Sequence, residues 1–311
     1  MIGYTLRRLL TAIPTLWLLV TLAFFLIRLT PGGPFDSERA LPTEVERNLQ
    51  QIYHLDEPLP IQYGRYLWQV LRLDFGPSFH YRDWSVNELI ADGLPTSLAL
   101  GGLALAVALV FGLFLGVQAA LRQNRVSDHA LMGVAMLGIS VPNFVMAPLL
   151  ILVLAIGLGL LPAGGWDWRP AQMVLPVITL ALPLIAYLAR LVRGSMIEVL
   201  HSPFIRMARA KGLPRSRIIL RHALKPSLLP VISFLGPAAA AVLTGSVVIE
   251  RIFTIPGLGN QFVQAALNRD YTLVLGIVIV YGMLIIAFNL LVDLLYAWLD
   301  PKIRLRRQGE L

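Results

Sequence analysis

The sequence predicts an all-α polytopic membrane protein with six transmembrane helices and a small extracytoplasmic insertion after the first. Three observations predict it. First, 57% of the 311 residues are hydrophobic, only 14% are charged, and the mean hydropathy is +0.70. That lies well outside the profile of a water-soluble domain. Second, six apolar stretches reach the length of a bilayer core. Third, the basic residues fall mostly into alternate connections, the pattern that fixes topology in a membrane. The pI near 10.1 is therefore assigned to topology-setting arginines and not to a nucleic-acid partner. The chain has no cysteine, which excludes disulfides, Fe–S clusters and Cys-ligated zinc. Its histidines, at 54, 80, 129, 201 and 222, have no metal-binding spacing, so no metal site is expected.

A short basic start precedes the first span, Leu9–Ile27. This span runs into Arg28 and Pro31-Gly32-Gly33-Pro34 without a small-residue cleavage site, so it reads as an uncleaved anchor. Residues 31–95 are a different material. Ten acidic residues (Asp36, Glu38, Glu44, Glu46, Asp56, Glu57, Asp74, Asp83, Glu88, Asp92) stand against five arginines. Helices are expected over Thr43–Tyr53 and Gln62–Leu71, the second because Tyr63, Tyr66, Leu67 and Val70 share one face. Leu73–Ser78 reads as a turn. The remaining spans are placed at Thr96–Leu121, His129–Leu158, Met173–Leu191, Leu228–Ile249 and Leu273–Leu299. Pro142-Asn143-Phe144 is expected to break the second of these, and Pro176 and Pro183 fall in the third. Gly236, Ala238 to Ala241 and Gly245 would let the fourth approach its neighbours closely.

Six spans put both termini on one side. That side holds 16 of the 26 Lys+Arg: Arg7, Arg8, Arg122, Arg125, eight from Arg193 to Lys225, and Lys302, Arg304, Arg306 and Arg307. It is expected to be cytoplasmic, with 31–95 outside. Ionisable residues within spans mark polar paths or helix-to-helix hydrogen bonds. Asp293 stands open between those two roles. Arg190 can snorkel to the interface or line a path, and Arg28 is expected to snorkel. Asn143, Arg190 and Asp293 are the candidate translocation-path residues. Trp166 and Trp168 are read as an interfacial aromatic belt. Gly257-Leu258-Gly259 is read as an outer turn, because it lacks the third glycine of a dinucleotide site. No phosphate-binding Gly-x4-Gly-Lys-[Ser/Thr] loop and no catalytic constellation occurs, so the chain is read as neither an ATPase nor another enzyme. An autonomous secondary transporter would want internal repeats or several buried carboxylates in its spans, and only Asp293 stands out.

The connection His201–Pro230 is polar, basic and punctuated as two short helices. Ser202 and Pro203 suit a helix start, and Phe204, Met207 and Ala208 fall on one face. Gly212 with Pro214 is a stop, and Arg215–Lys225 is a second helix ended by Pro226.

This stretch resembles the EAA loop of binding-protein-dependent ABC importer permeases, in which Glu-Ala-Ala is followed by a glycine and then Ile-x-Leu-Pro. Aligned on Gly212, Arg206-Met207-Ala208 stands for Glu-Ala-Ala, and Ala208, Gly212 and Leu224 match strictly. Ala208-Arg-Ala-Lys-Gly-Leu213 is similar to the variant of the peptide/nickel branch. Further segments resemble B-type oligopeptide permease subunits: Leu6-Arg7-Arg8, Asp74-Phe75-Gly76-Pro77-Ser78, Arg193–Leu200, Asn268-Arg269-Asp270-Tyr271 and Asp300-Pro301-Lys302. The resemblance implies a type I ABC importer permease fold, with an anchor and outer unit over 1–93 and the permease domain over 94–311. It implies a multi-pass protein of the bacterial inner membrane that imports oligopeptides, or dipeptide, nickel or other peptide-like substrates of the same branch. The implied partners are a homologous C-type permease subunit, two ABC ATPase subunits that bind ATP and Mg, and a periplasmic peptide-binding protein. No cofactor is expected in this chain. The loop 193–226 would carry a coupling helix over about Pro203–Gly212. Phe204, Ile205 and Met207 would be its apolar contacts to an ATPase, and Arg206, Arg209 and Lys211 its polar ones, with Gly212 turning the chain.

Overall fold

The computed structural model describes residues 2–29 and 54–299, and all of the regular structure in those residues is helical. The expected helix at Thr43–Tyr53, the Pro31–Pro34 segment and the chain from Asp300 onward lie outside the described residues. Helix α1 spans Ile2–Leu29. Helix α2 spans Leu59–Leu71 and lays Tyr66, Leu67 and Val70 against the bundle, as its periodicity predicts. Tyr63 and Tyr66 reach Phe24 of α1, each with ring centroids 5.4 Å from it. Burial pushes the Tyr66 hydroxyl well above the usual phenol range.

Helix α3 spans Val86–Leu121, ten residues earlier than the expected start at Thr96. At 36 residues it is about 54 Å long, so its first turns stand beyond a ~30 Å hydrocarbon core. Its start is set by a reciprocal cap: the Ser85 hydroxyl accepts from Glu88 N–H at 3.2 Å, and the Ser85 N–H donates to the Glu88 carboxylate at 2.9 Å. Pro95, taken in the sequence as the end of the outer unit, sits inside this helix. A division at 93/94 likewise falls within α3.

Helices α4, Val126–Ser140, and α5, Asn143–Leu150, form the broken second span, and helical structure continues from α5 through a π-type segment, Ile151–Gly157. The two arms meet at 102°. Pro142 has no N–H to continue the ladder, and it drives Val141 into an extended conformation at φ −102°, ψ 119°. Helix α6 spans Pro170–Leu200 and carries Pro176 and Pro183 within it. A short helix α7, Pro203–Ala210, follows. From Arg215 the chain is helical almost without interruption, through a π-type segment at Ile218–Ala223 and Leu224–Ser227, into α8, Leu229–Ile252. Pro226 therefore does not end the run, contrary to the sequence reading. Helix α9 spans Leu258–Leu267 and α10 spans Tyr271–Leu299.

The core is built on α3 and α6. Ala104, Ala108, Gly112, Gly116 and Ala120 recur every fourth residue along α3, and all are buried. A Cβ on Gly112 would lie 2.7 Å from the Leu188 Cβ, and one on Gly116 would lie 2.6 Å from the Ala189 carbonyl oxygen. This small-residue stripe lets the two backbones touch, which is how helices associate where water supplies no drive.

Contacts at the two ends of the bundle decide what the broken span does. At one end, Asp128 of α4 binds Arg193 of α6. At the other, Gly165 N–H donates at 2.8 Å to the carbonyl of Phe253, just past α8. The pair α4–α5 thus carries the chain from one face to the other despite its bend, and makes the sixth span beside the five unbroken ones. Trp166 is buried in the core beside Phe253, with Trp168 edge-to-face at 5.8 Å. Trp166 is therefore a core residue and not part of an interfacial belt. Trp168 is exposed.

Candidate functional site

One face of the bundle gathers residues 121–128 and 193–227. Helix α7 lies on it. Pro203 opens the helix with a preset φ, but Ser202 does not cap it, because its hydroxyl donates to the Val199 carbonyl at 2.6 Å. The C-terminus is closed by backbone geometry. Gly212 takes φ +71°, its N–H donates to the Arg209 carbonyl at 2.9 Å, and the Leu213 N–H reaches back to the Ala208 carbonyl at 3.3 Å. This is the Schellman arrangement, and glycine reaches its left-handed position without the steric penalty of a Cβ.

The helix is held by one side only. Ile205 is fully buried and Ala208 nearly so, packed with Met196, Ile218 and Ala223. Phe204 and Met207 stand 47% and 59% exposed, and Arg206, Arg209 and Lys211 are exposed around them. The sequence expectation for Ile205 is thus corrected: its side chain is spent inside its own chain and has no surface to offer a partner. Phe204 and Met207 neighbour Ala208 or each other at i, i+4 and i, i+3 spacing, yet they stand at the exposed edge of the helix while Ala208 is buried.

Beneath α7, Asp128 and Arg193 form a bidentate pair, with both N–H···O distances 2.7 Å. The Asp128 side chain has no accessible surface, and it also accepts from the Asn124 N–H at 2.9 Å. A planar guanidinium matched to both carboxylate oxygens fixes α4 against α6 in register. The sequence reading missed this pair because the charges sit 65 residues apart at span ends, where charges ordinarily belong to loops.

The opposite face is tied by two buried carboxylates that sequence reading also missed. Glu250 accepts from the Ser97 hydroxyl at 2.7 Å and from the Gly259 and Asn260 N–H groups at 2.7 and 3.1 Å, which caps α9. The Gly257-Leu258-Gly259 stretch is a helix start and not the expected turn: Gly257 precedes α9 and Leu258 and Gly259 are its first residues, and a Cβ on Gly257 would collide with Glu250. Asp270 accepts from the Ser78 hydroxyl, from Phe79 N–H at 3.1 Å and from Leu273 N–H at 3.2 Å. It joins the Asp74–Ser78 motif to the Asn268–Tyr271 motif at the start of α10. Asp128, Glu250 and Asp270 are each engaged by protein donors, so the buried carboxylates form a frame and not a relay.

The three path candidates do not converge. Asn143 begins α5 at the break. Arg190 is exposed on α6, its guanidinium 5.5 Å from the Tyr187 ring, and Tyr187 stacks on Phe234 of α8 with ring centroids 4.3 Å apart. Asp293 lines a cavity of about 190 Å³ with Thr11, Thr15 and Asn289 between α1 and α10.

A bundle of six crossings bearing a short capped helix on its basic face defines the class as a multi-pass membrane transport permease. Residues 108–305 match the family described as binding-protein-dependent transport system inner membrane component, and the chain belongs to that family. The chain is 56% identical over 305 residues to the oligopeptide transport system permease protein OppB of Haemophilus influenzae, and 55% identical to that of Escherichia coli K12. In both cases 98% of this chain and 100% of the relative are covered. The dipeptide transport system permease protein DppB of Bacillus subtilis is 46% identical over 309 residues, with 99% of this chain and 100% of the relative covered.

Proposed function

We propose that this chain is the translocating permease subunit of an ABC importer that takes oligopeptides from a periplasmic binding protein across the inner membrane. The higher identity to oligopeptide than to dipeptide permeases supports that substrate class over a dipeptide importer of the same branch. The partners are a homologous C-type permease and two ATPase subunits. ATP and Mg are bound by those subunits. The basic face, α7 included, is cytoplasmic, as are both termini. The 1–93 anchor and outer unit serve docking, and the 94–311 domain serves translocation.

One observation carries the mechanism. Helix α7 is fastened by Ile205 and Ala208 and presents Phe204, Met207, Arg206, Arg209 and Lys211 outward. An ATPase groove can hold this exposed side while the buried side passes displacement to Met196 of α6 and to Ile218 and Ala223, which lead into α8. Closure of the ATPase dimer moves α7 as a lever, and the packed helices answer by switching between two arrangements. Loaded binding protein biases that switch by binding the two states differently. Of the path candidates, Arg190 is the best placed. It stands with Tyr187 and Phe234 on the exposed seam of the two helices that flank the coupling loop. Asn143 adjoins the span break, and Asp293 lies between α1 and α10, away from that seam.

The test compares the two sides of α7 in transporter reconstituted with its ATPases. Phe204→Ala with Met207→Ala should abolish ATPase stimulation by peptide-loaded binding protein while leaving unfolding temperature unchanged. Ile205→Ala should instead cost about 2–5 kcal/mol of stability, as truncation of a buried aliphatic does. Normal stimulation in the Phe204/Met207 variant, and in Arg209→Glu, would sink the coupling assignment.

A further inference from the structure

Behind α7 lies a cavity of about 580 Å³ on the same basic face. Its polar wall is Arg122, Gln123 and Arg125 from the turn after α3, His201 from the end of α6, Arg209 of α7, and Arg215. No carboxylate lines it. None of the four guanidiniums makes an ion pair or a hydrogen bond through its side chain among the described residues. The contrast with Arg193 is informative, since the same face neutralises that arginine with Asp128. Four like charges facing one hollow repel one another, so the arrangement is stabilised by an anion that enters it. The floor is apolar, with Leu121, Leu200, Leu213, Ile218 and Ile219 contributing. The hollow sits between the end of α3 at Leu121 and the end of α6 at Leu200.

We propose that this cavity binds the headgroup of an anionic phospholipid of the cytoplasmic leaflet, phosphate on the arginines and glycerol against the apolar floor. The inference rests on the cytoplasmic orientation proposed above. Guanidinium forks match phosphate oxygens, and basic hollows between membrane helices on this side suit acidic headgroups. The apolar floor favours a lipid over a soluble anion. A seated lipid would brace Arg209, and hence α7, against the end of α3.

The experiment uses the assembled transporter, purified and then exchanged into nanodiscs of phosphatidylcholine with or without phosphatidylglycerol. Bound lipid is counted by native mass spectrometry. Wild type should retain phosphatidylglycerol, and Arg122→Gln/Arg125→Gln should weaken that retention roughly thirtyfold, the effect of two headgroup-facing charges. Arg122→Lys/Arg125→Lys, which keeps the charge, should retain most of it and serves as the folding control. Equal retention in wild type and the glutamine variant would overturn the proposal. So would competition by millimolar inorganic phosphate, which would make the site one for a soluble anion. Loss of ATPase co-purification in the glutamine variant with lipid retention unchanged would also overturn it, by giving the face to protein docking. Lipid counting needs no ATP, so absence of peptide-stimulated ATPase activity in the wild-type assembly would overturn the importer reading and leave the lipid result standing.

Discussion

Asp128 is the residue on which the basic face is anchored. Its carboxylate has no accessible surface and takes Arg193 through two 2.7 Å contacts. Removing one partner of such a pair strands the other, which costs more than the pair contributes. Asp128→Asn should therefore lower stability by about 3 kcal/mol, read as a fall in the unfolding temperature of the detergent-solubilised chain. Asp128→Asn with Arg193→Gln should recover much of that loss, because neither charge is then left alone. Additive losses would mean that the two do not act as a pair. Gly212 was legible at this scale, because a helix stop beside Pro214 calls for a left-handed residue. Ile205 was not. In eight residues the buried and exposed faces of α7 carry apolar side chains alike, and only tertiary packing tells them apart. Glu250 escaped notice for a different reason: a carboxylate at a span end looks like loop chemistry until the backbone N–H groups it caps are in view.

At the scale of elements, the stripe on α3 sets how closely α6 can approach. A Cβ on Gly116 would meet the Ala189 carbonyl oxygen at 2.6 Å and the Val192 Cβ at 2.7 Å, and neither backbone can give way without moving a helix. Gly116→Val should cost about 3 kcal/mol or more by overpacking, seen as loss of monodisperse protein in size-exclusion chromatography. Gly102→Ala, on the same helix with nothing within 4 Å of its Cβ, is the control and should be neutral or slightly stabilising. Wild-type behaviour of both variants would show that α3 and α6 do not pack through this stripe. The Gly112-x-x-x-Gly116 spacing is present in the sequence, but it lies in a stretch so uniformly apolar that no face announces itself. The break at Pro142 was legible because proline acts locally on its own backbone and on the residue before it. The early start of α3 had a signal too, Ser85 with Glu88, which Pro95 overshadowed as an apparent boundary. The π-type segments at 151–157 and 218–223 had none, since a one-residue widening leaves no mark on hydrophobic periodicity.

For the whole molecule, the decisive quantity is parity. The arginine count assigns the faces only if α4 and α5 together cross the membrane, and their 102° bend is compatible by itself with a crossing or with a hairpin that returns. The contacts Asp128 to Arg193 and Gly165 to Phe253 place the two ends of the pair on opposite faces. The absence of native cysteine makes this directly measurable, because every introduced thiol is the only one in the chain. Asp83, Ala163 and Ser216 are exposed on the surface, the first two on the face of α9 and the third on the face of α7. In intact spheroplasts an impermeant maleimide should label the Asp83→Cys and Ala163→Cys variants. It should reach the Ser216→Cys variant only after permeabilisation. Were the broken pair re-entrant, the Ser216→Cys variant would label together with Asp83→Cys and not with Ala163→Cys, and the chain would have five crossings and its ends on opposite sides. Were the whole pattern inverted, with Ser216→Cys labelled first, the basic face would be external and α7 could not meet an ATPase at all. One reagent at three positions therefore tests the count of spans, the positive-inside assignment and the accessibility on which coupling depends.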